Sequence, residues 1–528
     1  MAFFNNIMQK TLFERLLDYF KISEADYADL IAPVSIESFS AGHQFERMSE
    51  AVEIVKAAVD NKDKIFIYGD YDADGIMSTS IVVKSLLKLG VIPSFYIPNR
   101  YKDGYGITLS KAEEIVSEGV KLVITVDNGI SANEPIAYLH EKGVKVVVLD
   151  HHTVPSNVPV ADVIIHPTYS KFGTIATSAG FVSFMFSWAL LGYFDKYLSC
   201  LAAISVISDM MPLLDYNRRF LRLVFNSYQD GEFYAIDLLK ESGPFDENAI
   251  GMRIAPQINA LGRLLDDESI NYIIHYFVTS DKDKINRLFA WINSNNEKRK
   301  EESRMASVNA PEINENDPAI IVLTDVKEGL LGLIANQLCS EYRRPVIVFD
   351  RAQEEGILKG SCRAPEGFNV VDAFNSCGDI MITSGGHALA GGCSIHEKDF
   401  EQFKNLFLKY VEQNPIVVVD HHEIVMGLTE INEENYQLIN SFAPFGESWK
   451  MPSFLIKHIK TDSLMFSRTG EHILTYVGQG VKLTGFGFGK EMVQSYNYID
   501  LIGQLRSSVY RGNRSLDFVI KEIRESGK

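Results

Sequence analysis

No apolar run of about 18 residues or more occurs in this 528-residue sequence, so nothing in it is long enough to span a membrane as a helix. The opening stretch MAFFNNIMQKTLFERLLDYF lacks the basic flank, apolar block and small-residue cleavage site of a secretory signal. It reads as an amphipathic helix, and a cytoplasmic location follows as the default. Cysteine is scarce: Cys200, Cys339, Cys362, Cys377 and Cys393 are odd in number and form no CxxC pair, which argues against a disulfide framework or a zinc ribbon and for reduced thiols. Positive charge is in deficit, with 51 Lys and Arg against 69 Asp and Glu and a net charge of -18. A surface that is basic all over is thereby excluded. Contact with a phosphate backbone would need a confined basic groove, with divalent metals adding positive charge at the site.

What the chain does contain is length enough for roughly two to four domains and one conspicuous stretch, KIFIYGDYDADGIMST at Lys64–Thr79. The apolar run Ile65–Tyr68 reads as a buried strand of a parallel sheet, and such sheets bind ligands beyond the carboxyl ends of their strands. Asp70, Asp72 and Asp74 sit at that end, closed by Gly75. Three carboxylates so close repel one another, and hard divalent cations such as Mg2+ or Mn2+ offset that repulsion. A solvated Asp-rich turn is the alternative.

Strand, turn and helix then alternate. Strands are expected at Ser94–Ile97, Leu122–Val126, Val144–Leu149 and Val163–Ile165, with helices at Ser78–Leu89, Leu109–Glu118 and Glu134–Lys142, each with Gly at or near its end. This pattern predicts a doubly wound parallel sheet. Two further strands end in acids, at Asp127-Asn128-Gly129 and at Asp150-His151-His152, so metal-competent groups line one sheet edge. Asp209 follows an apolar helix, where an unpaired carboxylate is costly and a ligand role makes sense. The region 266–310 reads as long charged helices linking two bodies; its run Asn296–Arg304, NEKRKEESR, is expected to be a solvated face rather than a nucleic-acid contact. Alternating α/β elements resume at Ala319–Leu323, and the Gly-rich Ser384-Gly385-Gly386-His387 permits close backbone approach to a ligand such as a phosphate. From about Pro415 short strands at regular spacing predict a small OB-like β-barrel, with Lys457, Lys460, Arg468 and Arg511 as candidate contacts to single-stranded nucleic acid; an ordinary β-domain surface carries as many.

These residues carry a resemblance. Through YGDYDADG at Tyr68, TVDNG at Thr125, LDHH at Leu149 and SDMMPL at Ser208 the chain resembles the RecJ family of 5′-to-3′ single-strand-specific DNA exonucleases, within the DHH phosphoesterase superfamily. PQINALGR at Pro256, GSCRAPEG at Gly360, SGGHALAGG at Ser384 and APFGESWKMPSF at Ala443 extend the resemblance over nearly the whole chain. It implies an α/β fold in four parts: a parallel-sheet DHH catalytic domain at 1–230, a long helical linker at 231–310, a second α/β DHH-associated domain at 311–414 and an OB-like β-barrel at 415–528.

The resemblance further implies two divalent cations, Mn2+ or Mg2+, held by Asp72, Asp74, Asp127, His151 and Asp209, with Asp127 as a bridge and Asp70 completing the set. Asp127, His151 and His152 would be catalytic, His152 facing the scissile phosphate. Arg100, Asn259, Arg263, Ser361, Arg363, Gly385, Gly386 and His387 would bind substrate, the arginines and Ser361 at DNA phosphates that include the 5′ end. The expected partner is single-stranded DNA with a 5′ end, together with a helicase and a single-stranded-DNA-binding protein, the chain itself being a monomer. A DHH phosphodiesterase for short oligonucleotides or cyclic dinucleotides and an inactive replication scaffold are the alternatives. The first is usually shorter and lacks the barrel, and the second has lost ligands that this chain retains. Three departures stand out. Tyr68 occupies the position where smaller superfamily phosphatases carry a histidine, PFGESWKMP departs from the family's PFGxGNPxP, and a partner-binding domain after the barrel is not expected. A second triplet, Asp420-His421-His422, has no accompanying acidic motif and reads as structural.

Overall fold

Five short apolar runs pair in parallel to build the first sheet: β1 (Ile65–Tyr68), β2 (Ser94–Tyr96), β3 (Leu122–Val126), β4 (Lys145–Leu149) and β5 (Val163–Ile165), in the order β2-β1-β3-β4-β5. The computed structural model describes residues 10–39, 45–170, 176–308, 317–351, 356–416, 423–477, 481–510 and 513–527. Strand order reverses at β1, with β2 on one side and β3 on the other, so the crevice between the ends of β1 and β3 is the switch point at which such sheets bind ligands. Tyr68 stands beside Thr125 and Val126 beside Leu149, which brings the three acidic strand ends together.

Helix α1 (Ala73–Lys88) starts five residues before the expected Ser78, because Asp72 accepts from Gly75 N and caps it. Helices α2 (Leu109–Ser117) and α3 (Asn133–Glu141) cover one sheet face over Phe66, Val123 and Val146. On α1 pack α4 (Ala179–Leu191) and α5 (Lys196–Ser208), apolar on nearly all sides as helices inside a core are. Then come α6 (Ala255–Leu264), the long α7 (Lys282–Val308) and a second sheet, β6 (Ile320–Thr324), β7 (Val346–Arg351), β8 (Ile357–Arg363), β9 (Met381–His387) and β10 (Ala390–His396), ordered β6-β7-β8-β10-β9. Only β6 and β7 pair in parallel there; α8 (Glu328–Tyr342) packs on one face over Ile320, Val322 and Val348. All of these elements belong to one compact unit, Phe39–Met211 with Val224–Val419.

The described residues of Met1–Ser38, Pro212–Leu223 and Asp420–Lys528 form the other unit. Its sheet runs β11 (Ile424–Val425), β12 (Phe454–Lys460), β13 (Ile473–Val477), β14 (Val481–Gly485), β15 (Tyr498–Tyr510) and β16 (Asn513–Glu525), ordered β11-β12-β15-β16-β14-β13. Strands β15 and β16 are 13 residues each, longer than the short strands expected there. The N-terminal helix Leu12–Phe20, capped reciprocally by Thr11 and Glu14, stacks Phe20 on Trp449 at 4.3 Å and on Phe442 at 5.0 Å. Arg218 lies over the Trp449 ring at 4.7 Å and donates to the carbonyls of Pro444 and Ala443, each at 2.9 Å, and of Phe442. Asp420-His421-His422 and Arg511 lie outside the described residues.

Replacing buried Arg218 by Leu strips the charged donor from these carbonyls. The Arg218→Leu variant is expected to lose about 3 kcal/mol of unfolding free energy; urea denaturation that shows no loss contradicts this role.

Candidate metal centre

The acidic turn after β1 is held by groups far along the chain. A Cβ on Gly75 would meet the Asp70 carbonyl oxygen at 2.5 Å, so the tight return of the chain from Asp70 into α1 requires glycine there. Asn259 of α6 accepts from Ala73 N at 2.8 Å and braces the turn; its Oδ1 is thereby committed to the protein. Asp74 is buried and accepts four hydrogen bonds. Its Oδ2 accepts from Ala179 N at 2.9 Å, and its Oδ1 from Gly180 N at 2.8 Å, Ser205 Oγ at 2.7 Å and Ser78 Oγ at 3.2 Å. The first two donors are the N-terminal turn of α4, where backbone N–H groups and the helix dipole favour negative charge.

Asp127, at the end of β3, takes a left-handed backbone conformation with φ 60°. Its side chain is buried, with Oδ1 3.2 Å from His151 Nε2. Asn128 ties β1 to β3 by donating to the carbonyls of Gly69 at 3.0 Å and Val126 at 2.9 Å. After β4, Asp150 is turned inward: it accepts from the N–H groups of Ile130 at 2.9 Å and His151 at 2.7 Å, and from His152 Nδ1 at 2.8 Å. It orients the two histidines rather than facing the cluster. The Tyr105 hydroxyl donates to the Asp127 carbonyl at 3.1 Å and lies 3.0 Å from the His152 ring. At the end of α5, Asp209 Oδ2 reaches within 3.6 Å of His151 Nε2, as does Asp74 Oδ2.

Three overlapping groups result: Asp70, Asp72 and Asp127; Asp74, His151 and Asp209; and Asp127, His151 and His152, the candidate ligand atoms within each lying within 4.8 Å of one another. Burial first, then the charge of Asp72, pushes Asp70 up to about 8; burial, then Asp74 and Asp72, pushes Asp209 up to about 8. Burial and the charges of Asp74, Asp72 and Asp70 drive Asp127 well above the carboxylate range, and burial with Asp74 raises Asp72. Asp150 behaves oppositely. Burial raises it, but the hydrogen bond and charge of His152 and the backbone donors outweigh that and bring it to about 2. Burial lowers His152, and the hydrogen bond and charge of Asp150 outweigh it, so the ring is held above its ordinary value. Among the described residues Asp70 Oδ1 and Asp127 Oδ1 are buried with no hydrogen-bond partner. Carboxylate oxygens, partly orphaned and mutually repelling, form with the imidazoles of His151 and His152 a donor set that fits hard divalent cations.

The expected phosphate-binding side chains gather nearby. Arg100 lies over the Tyr71 ring at 4.4 Å, Arg263 at the end of α6 donates to Gly329 O at 2.9 Å, and Arg363 at the end of β8 donates to Ser361 Oγ at 3.2 Å and Cys362 O at 2.7 Å. Burial, followed by the charges of Arg100, Arg299 and Arg363, lowers Arg263 to about 10. Gly385, Gly386 and His387 lie exposed on the edge strand β9, and among the described residues no hydrogen bond or ion pair joins them to the acidic cluster. Tyr105, Asn128, Ser205 and the α4 N-terminus were not foreseen. Ser178-Ala179-Gly180, an N-cap serine followed by a small residue and a glycine, is the signal that marks the last of these.

Three family models match the chain: the DHH family N-terminal domain at 64–206, the DHHA1 domain at 316–413 and the RecJ OB domain at 422–522. The single-stranded-DNA-specific exonuclease RecJ of Haemophilus influenzae is 30% identical over 539 residues, covering 93% of this chain and 92% of that protein. The chain belongs to the RecJ family. The RecJ of Bacillus subtilis is also 30% identical, over 94% of this chain, which spans 66% of that protein's length. A solved structure of RecJ in complex with Mn2+ from Thermus thermophilus shares the fold, with a TM-score of 0.81 at 23% identity, over 98% of this chain and 78% of that one. An exonuclease RecJ bound to manganese matches with a TM-score of 0.60 at 26% identity, over 73% and 97%.

The raised carboxyls fix a sign. Asp70 and Asp209 keep their protons up to about 8 in the folded protein, whereas an unfolded aspartate loses its proton near about 3.9. Across that window the folded state binds more protons, so their contribution to stability falls as pH rises. In the metal-free protein, the stability of Asp70→Asn relative to the unsubstituted chain is therefore expected to increase from pH 5 to pH 8.5. Urea denaturation giving the same difference at both pH values refutes the reading.

Proposed function

We propose that the chain is a divalent-metal-dependent exonuclease that hydrolyses single-stranded DNA from the 5′ end and releases 5′-mononucleotides, in DNA repair and recombination. The observation that carries this is the pair of ligand groups, Asp70-Asp72-Asp127 and Asp74-His151-Asp209, at the switch point of the parallel sheet. The names of its relatives and the manganese-bound structures of similar fold support it.

Asp70, Asp72 and Asp127 would hold one Mn2+ or Mg2+ and Asp74, His151 and Asp209 a second, Asp127 lying between them. When bound, the ions supply Lewis-acid charge to the attacking water and to the scissile phosphate. Asp74, fixed by the α4 N-terminus, keeps its ligand oxygen in place with its charge already supported. His152, aimed by Asp150 and shifted by it toward the protonated form, would stabilise the phosphate charge and pass a proton to the leaving oxygen. Arg100, Arg263, Ser361 and Arg363 recognise the terminal phosphate, and Gly385, Gly386 and His387 approach the strand along its backbone. Asn259 contributes by holding the Asp72–Asp74 turn.

By function the parts are a catalytic domain at 1–230, a helical linker at 231–310, a DHH-associated domain at 311–414 and an OB-like nucleic-acid-binding domain at 415–528, with Met1–Ser38 and Pro212–Leu223 packed in the same unit as the last. The proposal extends to a monomer that works in the cytoplasm with a helicase and a single-stranded-DNA-binding protein. Support for that part is the family membership. Among the described residues no helix is long and apolar enough to cross a membrane.

Asp127→Asn removes the charge of a ligand of the first group that also stands 3.2 Å from His151 of the second, and loss of about 4 kcal/mol of charge stabilisation corresponds to about a thousandfold in rate. Release of labelled mononucleotide from a 5′-phosphorylated single strand in Mn2+ is expected to fall by that factor. Hydrolysis restricted to dinucleotides would move the chain to the short-oligonucleotide phosphodiesterases, and full activity in Asp127→Asn would remove the assignment.

A further inference from the structure

Two tyrosines beside the metal centre are tied into it without belonging to its ligand groups. Tyr68, which stands where smaller superfamily phosphatases carry a histidine, is buried at the end of β1 and donates its hydroxyl to the Gly106 carbonyl at 3.0 Å. That bond anchors the loop between β2 and α2, in which Gly104 and Gly106, with φ of 75° and 76°, turn the chain on either side of Tyr105. Tyr105 extends from this turn to the ends of β3 and β4. Its hydroxyl has one proton and donates it to the Asp127 carbonyl at 3.1 Å, so it presents lone pairs to the His152 ring. Oη stands 3.0 Å from Nδ1 and 3.1 Å from Nε2, against the ring rather than in line with either nitrogen, and the two rings meet at 64° with centroids 5.4 Å apart.

His152 is a ring that needs such a support. Its main chain is held, because His166 Nδ1 accepts from Thr168 N at 3.1 Å and leaves Nε2 to donate to the His152 carbonyl at 2.8 Å. Its side chain is 42% exposed, and Asp150 accepts from its Nδ1 at 2.8 Å. With one hydrogen bond an imidazole can still turn about the line from Cβ to that bond; a second contact off that line fixes its plane. Tyr105 supplies that contact. Because the tyrosine hydroxyl hangs on the backbone of Asp127, it also ties the ring to a residue whose carboxylate belongs to the ligand groups. With Nδ1 committed to Asp150, Nε2 is the nitrogen left for a phosphate oxygen.

We propose that Tyr105 is a positioning residue for the reaction: its hydroxyl, fixed on the Asp127 carbonyl, sets the plane of the His152 ring and its spacing from the metal ligands, so that Nε2 faces the scissile phosphate. This rests on the phosphate-facing role of His152 in the proposed function. Tyr68 acts one step further back, by holding the loop at Gly106. Misplacing a reacting group by about 1 Å can cost about a hundredfold in rate, so a hydroxyl that acts only through its neighbour still governs turnover.

The test is a double-substitution cycle in the full chain, Tyr105→Phe, His152→Ala and both together, assayed for kcat and KM on a 5′-phosphorylated single strand in Mn2+, with thermal midpoints and Mn2+ titrations recorded. Tyr105→Phe is expected to lower kcat about tenfold, the rate equivalent of one hydrogen bond, and to leave KM, Mn2+ stoichiometry and the midpoint unchanged. In the His152→Ala background the same substitution is expected to cost nothing further, since the group it positions is gone. A readout independent of turnover is the carbon-13 spectrum of the histidine rings in the metal-free chain at a single pH. There the His152 signal, identified by its loss in His152→Ala, is expected to move in Tyr105→Phe. Full activity in Tyr105→Phe, a loss that persists undiminished in the His152→Ala background, or a His152 signal that stays in place overturns the inference and spares His152. A lowered midpoint with kcat and KM altered alike in both backgrounds assigns Tyr105 to the fold alone and also overturns it. Full activity in His152→Ala overturns the role of His152 and the inference with it.

Discussion

Mutual repulsion among buried carboxylates is the constraint around which the first domain is built. Asp70, Asp72, Asp74, Asp127 and Asp209 reach one crevice from β1, α1, β3 and α5, and burial disfavours the charged form of Asp70, Asp72, Asp127 and Asp209. The parallel sheet makes this unavoidable, because its strand order reverses where β1 and β3 end side by side. Cations are then the natural complement, and the rest of the neighbourhood divides into groups that leave ligand atoms free and groups that hold them still.

That division separates residues adjacent in sequence. Asp74 is held by the α4 N-terminus and two serines, with a single donor on Oδ2, whereas Asp70 Oδ1 and Asp127 Oδ1 are buried with no hydrogen-bond partner among the described residues. Asp150 looks like a ligand in the triplet Asp150-His151-His152 but is committed to backbone donors and to His152. Its low carboxyl and the raised imidazole are two sides of one contact, by which a buried acid aims the His152 ring and favours its protonated form. Guanidinium crowding around Arg263 is the complementary case, a cationic space beside an anionic one within the same unit.

Much of this was legible in the sequence for a local reason. A short apolar run followed by an acid reports both a buried strand and its end, so Asp70, Asp72 and Asp127 could be expected at one sheet edge before any fold was known, whereas Asp209 was marked by the apolar helix before it and His151 by the family resemblance. Long-range partners were not legible. Nothing near Asn259 says that it braces Ala73, 186 residues away, and nothing near Ser205 says that it bonds Asp74. Arg299 was absorbed into a charged run because charge density hides which residue of a helix turns inward; only Ile292 and Asn296 on the same stripe reveal it. The packing of Phe20 with Phe442 and Trp449 joins segments more than 400 residues apart, beyond the reach of periodicity.

The account stands or falls on whether this crevice holds two cations in separable places. Calorimetric titration of the metal-free full chain with Mn2+ is the direct measurement. Two equivalents are expected, reduced to one in Asp74→Asn, which disables the group with His151 and Asp209 while leaving Asp70, Asp72 and Asp127 intact. A single equivalent in the unsubstituted chain, or two retained in Asp74→Asn, would contradict it.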